Sequence, residues 1–207
     1  MGHSLPLGRF ARWFAALSLT AMLCAGCHPQ PPIDVQPLFA AGMSFDTVKQ
    51  LKTMNLTVSD VSELSQAKQA GYSDGACLQT LQIYRQRKQT FDAGDAIGGL
   101  LGAGASEGLV LNLARLNQLG IGSGELQAMR LAGLSDDILL AVAQHHAAGQ
   151  PVLSGASLAG MKNLGLRTNT LLQLAEHGVP DSQATAIMAA RRHGAKDDAI
   201  LRQFSGS

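Results

Sequence analysis

The sequence is poor in several residue types on which binding sites are commonly built. Aromatic residues make up 4% of the 207 residues, and the single tryptophan is Trp13. Sites that stack sugars or bases on aromatic rings are therefore not expected. Charged residues make up 15%, and the formal net charge is +1. With so little excess charge there is no basic field for nucleic acid, and no nucleic-acid partner is predicted.

The N-terminus has the pattern of an export signal. In "GRFARWFAALSLTAMLCAGC" (8–27), Arg9 and Arg12 precede an apolar run over 13–23, and small residues follow. A membrane-spanning helix needs about 20 apolar residues, so this run is too short to span. The order of basic, apolar and small residues predicts a secretory signal peptide.

The end of this segment resembles the lipobox of bacterial lipoproteins. In "LCAGC" two small residues precede Cys27; the leucine usual three places before the cysteine is replaced by Cys24, and Leu23 stands one place further back. The resemblance implies that residues 1–26 are a lipoprotein signal peptide and that Cys27 carries lipid, including palmitate. An ordinary signal peptide with an incidental cysteine, or a retained inner-membrane helix, are the alternatives.

The resemblance also implies a location. Residue 28 is His rather than Asp, which favours the outer membrane, with the protein facing the periplasm, over retention at the inner membrane. The lipid anchor makes the membrane one partner. "HPQPPIDVQP" (28–37) contains four prolines, so residues 27–40 are predicted as the lipidated cysteine and an extended tether.

Removal of the signal peptide leaves a near-neutral chain with little cysteine. Without Arg9 and Arg12, 14 basic residues face 15 acidic ones. Cys24 leaves with the signal and Cys27 is lipidated, so Cys77 cannot form an internal disulfide. It is predicted to be a buried, unreactive thiol.

One short motif recurs along the rest of the chain. Ala-Gly-x-Ser followed by an acidic residue appears four times, as "AGMSFD" (41–46), "AGYSDG" (70–75), "AGASEG" (103–108) and "AGLSDD" (132–137). The motif glycines are 29, 33 and 29 residues apart, and "LGLRTN" (164–169) is a degraded fifth copy at a spacing of 32. Such spacing predicts a repeat architecture.

The chemistry of the motif is that of a joint between two helices. Glycine ends a helix in a left-handed conformation, serine caps the next helix, and the acidic residue complements the positive end of that helix. We therefore expect Gly133 to be left-handed and Ser135 to be a cap. The looser joints that follow each second helix offer Asp92, Ser123 and Ser154 as caps.

The residues between the joints have helical periodicity, and no alternating pattern of strand length occurs. We predict an all-α protein of tandem helical hairpins, each of about 30 residues, stacked as a short solenoid over 41–175. Residues 176–207 are predicted as a C-terminal helical cap, because Gly178 and Gly194 are only 16 residues apart. A compact helical bundle is the alternative.

The glycine-rich segment and the histidines are the candidates for ligand sites. The glycine-rich "AIGGLLGAGASEG" (96–108) lacks the lysine of a phosphate loop, so its GxxxG spacing predicts close helix packing or an oligomer contact. His145 and His146 are adjacent on a helix and do not chelate as i, i+4 partners do, and His177 and His193 lie far along the chain. No metal site and no cofactor are predicted.

The sequence provides no catalytic constellation. The glutamates are Glu63, Glu107, Glu125 and Glu176. Cleavage of cell-wall glycan needs a carboxyl group in a cleft with aromatic residues to hold the sugar, and those aromatics are missing. The basic "RQRKQ" (85–89) is interpreted as a solvated helix end, with contact to a partner or an anionic lipid as the alternative.

These features together predict an envelope lipoprotein, anchored to the membrane, that acts as a helical-repeat protein-interaction or scaffold module. Its protein partner is expected to lie in the envelope. It is predicted not to be an enzyme, and no catalytic residue is assigned. A periplasmic enzyme acting on the cell wall and a purely structural lipoprotein are the alternatives.

Overall fold

A computed structural model describes residues 32–119 and 123–206 of the chain. Within these ranges it has twelve α-helices, one 3₁₀ helix at Asp181–Gln183 and no strand. The α-helices are α1 (Gln36–Ala40), α2 (Phe45–Lys52), α3 (Val58–Gln69), α4 (Asp74–Gln86), α5 (Gly94–Gly102), α6 (Glu107–Leu116), α7 (Ser123–Leu131), α8 (Asp136–Ala147), α9 (Gly155–Asn163), α10 (Thr168–Glu176), α11 (Ala184–Arg192) and α12 (Asp197–Phe204).

The helices pair into hairpins that stack in two layers. Each odd-numbered helix packs against the even-numbered helix that follows it and against the odd-numbered helices before and after it. The even-numbered helices pack on one another in the same way. The predicted all-α architecture of stacked helical hairpins is thus confirmed. Residues from Asp34 onward form one compact unit.

A left-handed glycine ends the first helix of every hairpin. Gly133, for example, has φ +75°, and the N–H of Leu134 donates to the carbonyl of Met129 at 3.1 Å, which closes a Schellman turn. The predicted conformation of Gly133 is confirmed. The equivalent residues with positive φ are Gly42, Gly71, Gly104, Gly165 and Gly194.

The core lies between the two layers and is mainly aliphatic. Leu64, Ile97 and Leu113 are fully buried. Among the few aromatic residues, Tyr72 is fully buried and its hydroxyl bonds to Thr80 at 2.8 Å, which meets the need of a buried polar group for a partner.

Two predicted boundaries are corrected by the structure. The tether was predicted to reach residue 40, but residues 36–40 form α1, whose Leu38 is fully buried in the first hairpin. The prolines do not prevent this helix because Pro37 lies in its first turn, where no intrahelical N–H bond is lost.

The hairpin repeats were predicted to end at residue 175, with 176–207 as a C-terminal helical cap, but the repeats continue through the last described helix. Helices α11 and α12 form a sixth hairpin with the same joint, in which Gly194 follows the previous joint glycine by 29 residues, and Lys196 takes the place of serine. The spacing of 16 residues does not measure a repeat, because Gly178 lies in the connection between hairpins, although it also has positive φ. None of the helices in the described ranges has the length and apolar composition needed to cross a membrane.

Candidate functional site

The acidic residues of the repeated motif connect neighbouring hairpins. Asp74, the first residue of α4, accepts hydrogen bonds from the Ser44 N–H at 2.9 Å and from the Thr47 hydroxyl at 3.0 Å, both on the preceding hairpin. These bonds hold the start of one even-numbered helix against the start of the previous one.

The same bond recurs along the stack, and we call this series the carboxylate ladder. Each member is the first residue of an even-numbered helix. Its carboxylate accepts from the backbone N–H of the N-cap residue of the preceding even-numbered helix. The further pairs are Glu107 with Ser73 at 2.6 Å, Asp136 with Ser106 at 3.0 Å, and Asp197 with Arg167 at 3.0 Å. The motif therefore fixes the register between hairpins in addition to ending and starting helices.

The ladder perturbs the titration of its carboxylates. Burial alone would raise the pKa of Asp74, but hydrogen bonds from Lys68, Ser44 and Thr47 outweigh burial and bring the pKa well below its ordinary value. Asp197 has a lowered pKa in the same way: burial opposes the shift, and bonds from the Thr170 hydroxyl and a backbone N–H prevail. These carboxylates are stabilised as anions in the folded state.

A second set of carboxylates joins the odd-numbered helices. Glu63 on α3 accepts from the N–H of Gly94 at 2.7 Å, and Glu125 on α7 accepts from the N–H of Gly155 at 2.7 Å. Near the other end of the chain, Asp181 accepts from the N–H of Ser154, and its pKa is lowered by bonds from the Ser157 hydroxyl and this N–H.

The structure shows which of the predicted residues are helix N-caps. The serine hydroxyls of residues 44, 73, 106 and 154 each accept from the N–H three residues later, so they are caps. Asp92 is not a cap: Ala93 precedes α5, and Glu63 takes the N–H of Gly94 instead. Ser123 is the first residue of α7, and its side chain lies outside the described part of the structure.

Ser135 is the exception among the motif serines. It stands at the start of α8 with the backbone of a cap, but its hydroxyl makes no capping hydrogen bond to any described residue. The next hairpin has Thr168 where the ladder carboxylate would be, so no described side chain accepts from the Ser135 N–H. Ser135 therefore occupies the expected N-cap position without the expected side-chain hydrogen bond, and the ladder is interrupted between α8 and α10.

Basic side chains bind carbonyl groups at the C-terminal ends of helices in neighbouring hairpins. Arg130 donates to the carbonyl of Gly104 at 2.9 Å, and Arg191 donates to that of Gly165 at 2.7 Å. Lys162 donates to the carbonyls of Ala132, at 3.2 Å, and Gly133. Cations are favourable at these carbonyls because they meet the negative end of the helix.

The "RQRKQ" cluster belongs to this set rather than to a solvated face. Arg85 bonds to buried Asp60 and to the carbonyl of Met54 at 3.3 Å, while Arg87 bonds to the carbonyls of Ala114, at 2.6 Å, and Arg115. Its interpretation as a solvated helix end was wrong for both arginines, because the stacking of hairpins brings distant helix ends to them.

Asp60 is the most buried charged group in the described ranges. It completes a capping box with Thr57, whose N–H and hydroxyl both donate to Oδ2 at 2.6 Å. Its other oxygen, Oδ1, has no hydrogen-bond partner among the described atoms. The Arg85 guanidinium supplies the counter-charge that lets this carboxylate be buried.

The remaining candidates of the sequence have structural surroundings. Cys77 is buried, as predicted, and burial raises the pKa of its thiol to about 12. His145 bonds to Gln150 at 2.9 Å and to the carbonyl of Glu176 at 3.1 Å, which links two hairpins. His146 and His193 are exposed, and no cluster of potential metal ligands occurs in residues 32–119 and 123–206.

The glycines in and beside the glycine-rich segment differ in how closely they let helices approach. A Cβ on Gly94, which precedes residues 96–108, would lie 2.5 Å from the carbonyl oxygen of Glu63, so α5 packs closely on α3 at that point. Within the segment, a Cβ on Gly98 would make an ordinary contact of 3.5 Å with the Cβ of Ala70, and one on Gly102 would meet nothing within 4 Å, so the closest approach lies outside the predicted GxxxG positions. Cys27, the predicted lipidation site, lies outside the described residues.

The described part of the stack includes three open clefts with different linings. The first, about 470 Å³, is next to Arg85. One of about 340 Å³ lies between α7 and α9 and has an apolar lining of Ala128, Met129 and Ala159. The third, about 400 Å³, lies between α1 and α3 next to Asp34, Pro37 and Val58. None of them brings the candidate histidines and glutamates together within the described part of the chain.

Searches against protein-family models, curated proteins and solved structures found no match to this chain.

The contacts between hairpins are what single-sequence reasoning missed. The bonded pairs lie about one repeat apart, as in the separation of 30 residues between Ser44 and Asp74. The acidic residue that recurs beside the motif serines is recognisable from the sequence as a charge at the start of its own helix, but nothing local to one joint shows that it also accepts from the preceding hairpin. Periodicity within one helix does not contain that information.

Proposed function

We propose that this chain is a lipid-anchored envelope lipoprotein whose helical stack acts as a protein-interaction or scaffold module. The anchor is Cys27, and the proposed location is the outer membrane, facing the periplasm. The resemblance of residues 8–27 to a lipoprotein signal supports the anchor. The fold supports the interaction role, because stacked helical repeats present extended surfaces on which other proteins dock.

The observation that carries the interaction role is the use of charged side chains between hairpins. The ladder carboxylates tie the even-numbered helices together; they are Asp74, Glu107, Asp136 and Asp197. Arg130 and Arg191 tie helix ends across two of the same pairs of hairpins, and Lys162 does so in the pair where the ladder is interrupted. A stack that is bonded at most of its joints keeps its repeats in fixed register. Its outer faces therefore form one preorganised surface, which reduces the entropic cost of docking a partner.

The anchor is tested by labelling cells with radioactive palmitate. The wild-type protein should incorporate label, should lose residues 1–26 and should fractionate with the outer membrane. Cys27→Ser should lose the label and remain soluble in the periplasm if it is exported. Label that persists in Cys27→Ser, or a wild type without label, contradicts the anchor.

The interaction role is tested by crosslinking in the living envelope. Leu131 is a suitable position because its side chain is 70% exposed in the middle of the stack. A photoreactive residue there should give one stoichiometric adduct with an envelope protein in the wild type. Cys27→Ser, released from the membrane, should give less of it. No adduct at Leu131 or at exposed positions on the other hairpins would contradict a scaffold role.

A further inference from the structure

The first hairpin, like the fifth, lacks a ladder carboxylate, but it alone of the six has an aromatic residue at that position. The first residue of α2 is Phe45, where α4, α6, α8 and α12 begin with an acidic residue. Within the compact unit no hairpin precedes this one, so a carboxylate there would have no cap N–H to accept from. The sequence places a large aromatic residue at this end instead.

Phe45 is exposed and paired with a second aromatic ring. Its side chain is 71% exposed, and it stacks on Phe39 of α1 with the ring centroids 6.4 Å apart and the planes 13° apart. Phe45 is one of three large hydrophobic residues that are exposed in the described ranges. Water contact with such a ring is unfavourable, which favours its removal into an apolar or interfacial environment.

Two lysines lie on the same side of α2 as Phe45. Lys49 and Lys52 follow it by four and seven residues, so the three side chains form one stripe along the helix, beside the face that buries Val48 and Leu51. Both lysines are exposed, and neither forms an ion pair with a described residue. Basic residues further along the stack, such as Arg130 and Lys162, bond to the hairpin that precedes their own. Lys49 and Lys52 lie in the first hairpin of the compact unit, so they have no such partner.

The chain length places this end near the proposed anchor. Asp34, where the compact unit begins, is the seventh residue after Cys27. A fully extended chain spans at most about 3.6 Å per residue, so Asp34 stays within roughly 25 Å of the cysteine. Because α1 follows within two residues, a lipid on Cys27 would hold the first hairpin close to the bilayer surface.

We propose that Phe39, Phe45, Lys49 and Lys52 form a membrane-contacting end face that rests on the lipid headgroups. This inference depends on the proposed anchor at Cys27. The aromatic rings enter the boundary between headgroups and acyl chains, while the lysines extend their ammonium groups to lipid phosphates. One anchored lipid raises the local concentration of the membrane, so a small face is enough for contact. The stack is then oriented with its first hairpin on the membrane and its last hairpin away from it.

The sequence provides a direct probe of this contact. The single tryptophan, Trp13, lies within the predicted signal peptide, so the mature chain has none. Phe45→Trp places one fluorophore on the proposed face. Leu131→Trp is the matched control, because Leu131 is similarly exposed, at 70%, but lies on α7 in the fourth hairpin. Both positions are exposed, so neither change disturbs the core.

The experiment uses the lipidated mature protein in vesicles of phosphatidylethanolamine and phosphatidylglycerol that contain a brominated acyl chain. The tryptophan at position 45 should show blue-shifted emission and lose roughly half of its intensity, since interfacial side chains lie about 5–10 Å into the boundary. The tryptophan at position 131 should show neither effect. Adding Lys49→Gln and Lys52→Gln to Phe45→Trp should reduce the quenching in vesicles rich in phosphatidylglycerol.

The outcomes separate this inference from the anchor. If the protein carries palmitate and floats with the vesicles while the tryptophan at 45 is not quenched, the anchor stands and the end face is wrong. Equal quenching at 45 and 131 also overturns the face, because the stack would then lie without a preferred orientation. A protein without palmitate that does not float overturns both.

Discussion

Two segments of this chain are close copies of one another, yet their joints differ. Residues 62–74 and 124–136 share Glu, Leu, Ala, Gly, Ser and Asp at equivalent positions. In the first copy Ser73 caps α4 and its N–H bonds to Glu107. In the second copy Ser135 makes neither bond to a described residue. The same motif therefore behaves differently, according to what the next hairpin provides.

The copies agree where their bonds lie within equivalent surroundings. Glu63 and Glu125 each accept from a glycine N–H at 2.7 Å. The Lys68–Asp74 ion pair, at 2.7 Å, corresponds to Arg130–Asp136, at 3.5 Å. The difference at the serines arises outside the copies, where α6 begins with Glu107 and α10 with Thr168. The repeat motif thus determines the helix joint locally. Whether a hydrogen bond forms between hairpins depends on the first residue of the even-numbered helix in the next hairpin.

Acid should weaken the hydrogen bonds that Asp74 and Asp197 accept from the preceding hairpin, so that these two joints come to resemble the one at Ser135, and this is the largest effect we expect. The pKa values of Asp74, Asp181 and Asp197 are lower in the folded state than the ordinary value near 3.9. Their stabilisation is therefore complete above about pH 5 and is lost as the pH falls through the folded-state pKa values.

Urea unfolding of the soluble fragment 34–207 between pH 7 and pH 2 measures this dependence. The free energy of unfolding should fall steeply below about pH 4, and Asp74→Asn should reduce the slope of that fall. Gly75→Ala, next in sequence, retains the carboxylate and serves as the control. An Asp74→Asn variant with the slope of the wild type would show that the ladder does not hold this carboxylate as an anion.

The next largest effect should come from Gly94 and Gly155, the glycines at the starts of α5 and α9 that bond to Glu63 and Glu125 of the two copies. What differs between them is the atom that a Cβ would meet. A Cβ on Gly94 would lie 2.5 Å from a backbone oxygen of Glu63, whereas one on Gly155 would lie 2.5 Å from the Cγ of Met129. Backbone cannot move away without shifting a helix, but a methionine side chain can change rotamer.

Gly94→Ala should therefore lower the free energy of unfolding by about 1–3 kcal/mol, as overpacking does, and Gly155→Ala by less than about 1 kcal/mol. Denaturant midpoints of the two variants provide the comparison. Equal losses would mean that α5 and α9 are packed equally closely and that the contact at Gly94 is more yielding than its geometry indicates.

The serines test the difference between the joints directly. Ser73 accepts from the N–H of Ala76 at 3.2 Å and donates to Glu107 at 2.8 Å. Ser73→Ala should therefore cost about 1 kcal/mol, the ordinary loss for a helix cap, while Ser135→Ala should cost no more than a few tenths. The measurement is the midpoint of thermal or urea unfolding. A cost of about 1 kcal/mol for Ser135→Ala would show that its hydroxyl caps α8 in solution.

The sequence was sufficient for the all-α fold and for the hairpin joints, because their determinants are local. The left-handed turn at Gly133 and the caps at Ser73 and Ser106 follow from residues within a few positions of each joint. The hydrogen bonds from Ser73 to Glu107 were not predicted, because they depend on which helices become neighbours after stacking. The contacts of Arg85 and Arg87 with distant helix ends depend on stacking in the same way.

The first hairpin shows the same limit at the end of the stack. Four prolines in ten residues favoured a tether, and α1 was missed because its five residues carry almost no periodicity. Its helix is stabilised by packing on α3, through buried Leu38, rather than by local propensity.

The smallest expected effect is also the most direct way to remove the difference between the copies. Thr168→Glu would place a carboxylate where Glu107 stands in the other copy. Glutamate is the matched choice, because the joint glycines are 32 residues apart here and 33 apart at Glu107, against 29 at the joints with aspartate. The new carboxylate should accept from the Ser135 N–H and raise the free energy of unfolding by about 0.5–1 kcal/mol.

A control must separate this bond from the general benefit of an acidic residue in the first turn. Asn169→Glu adds the same charge one position later, where the helix dipole gives a few tenths of a kcal/mol but the ladder position is not filled. Glu107 also accepts from the Ser73 hydroxyl, so the gain from Thr168→Glu should shrink in a Ser135→Ala background. A double-mutant cycle of the two changes measures that coupling. If Thr168→Glu and Asn169→Glu stabilise equally and the cycle shows no coupling, then the missing carboxylate is not the reason that the two copies differ.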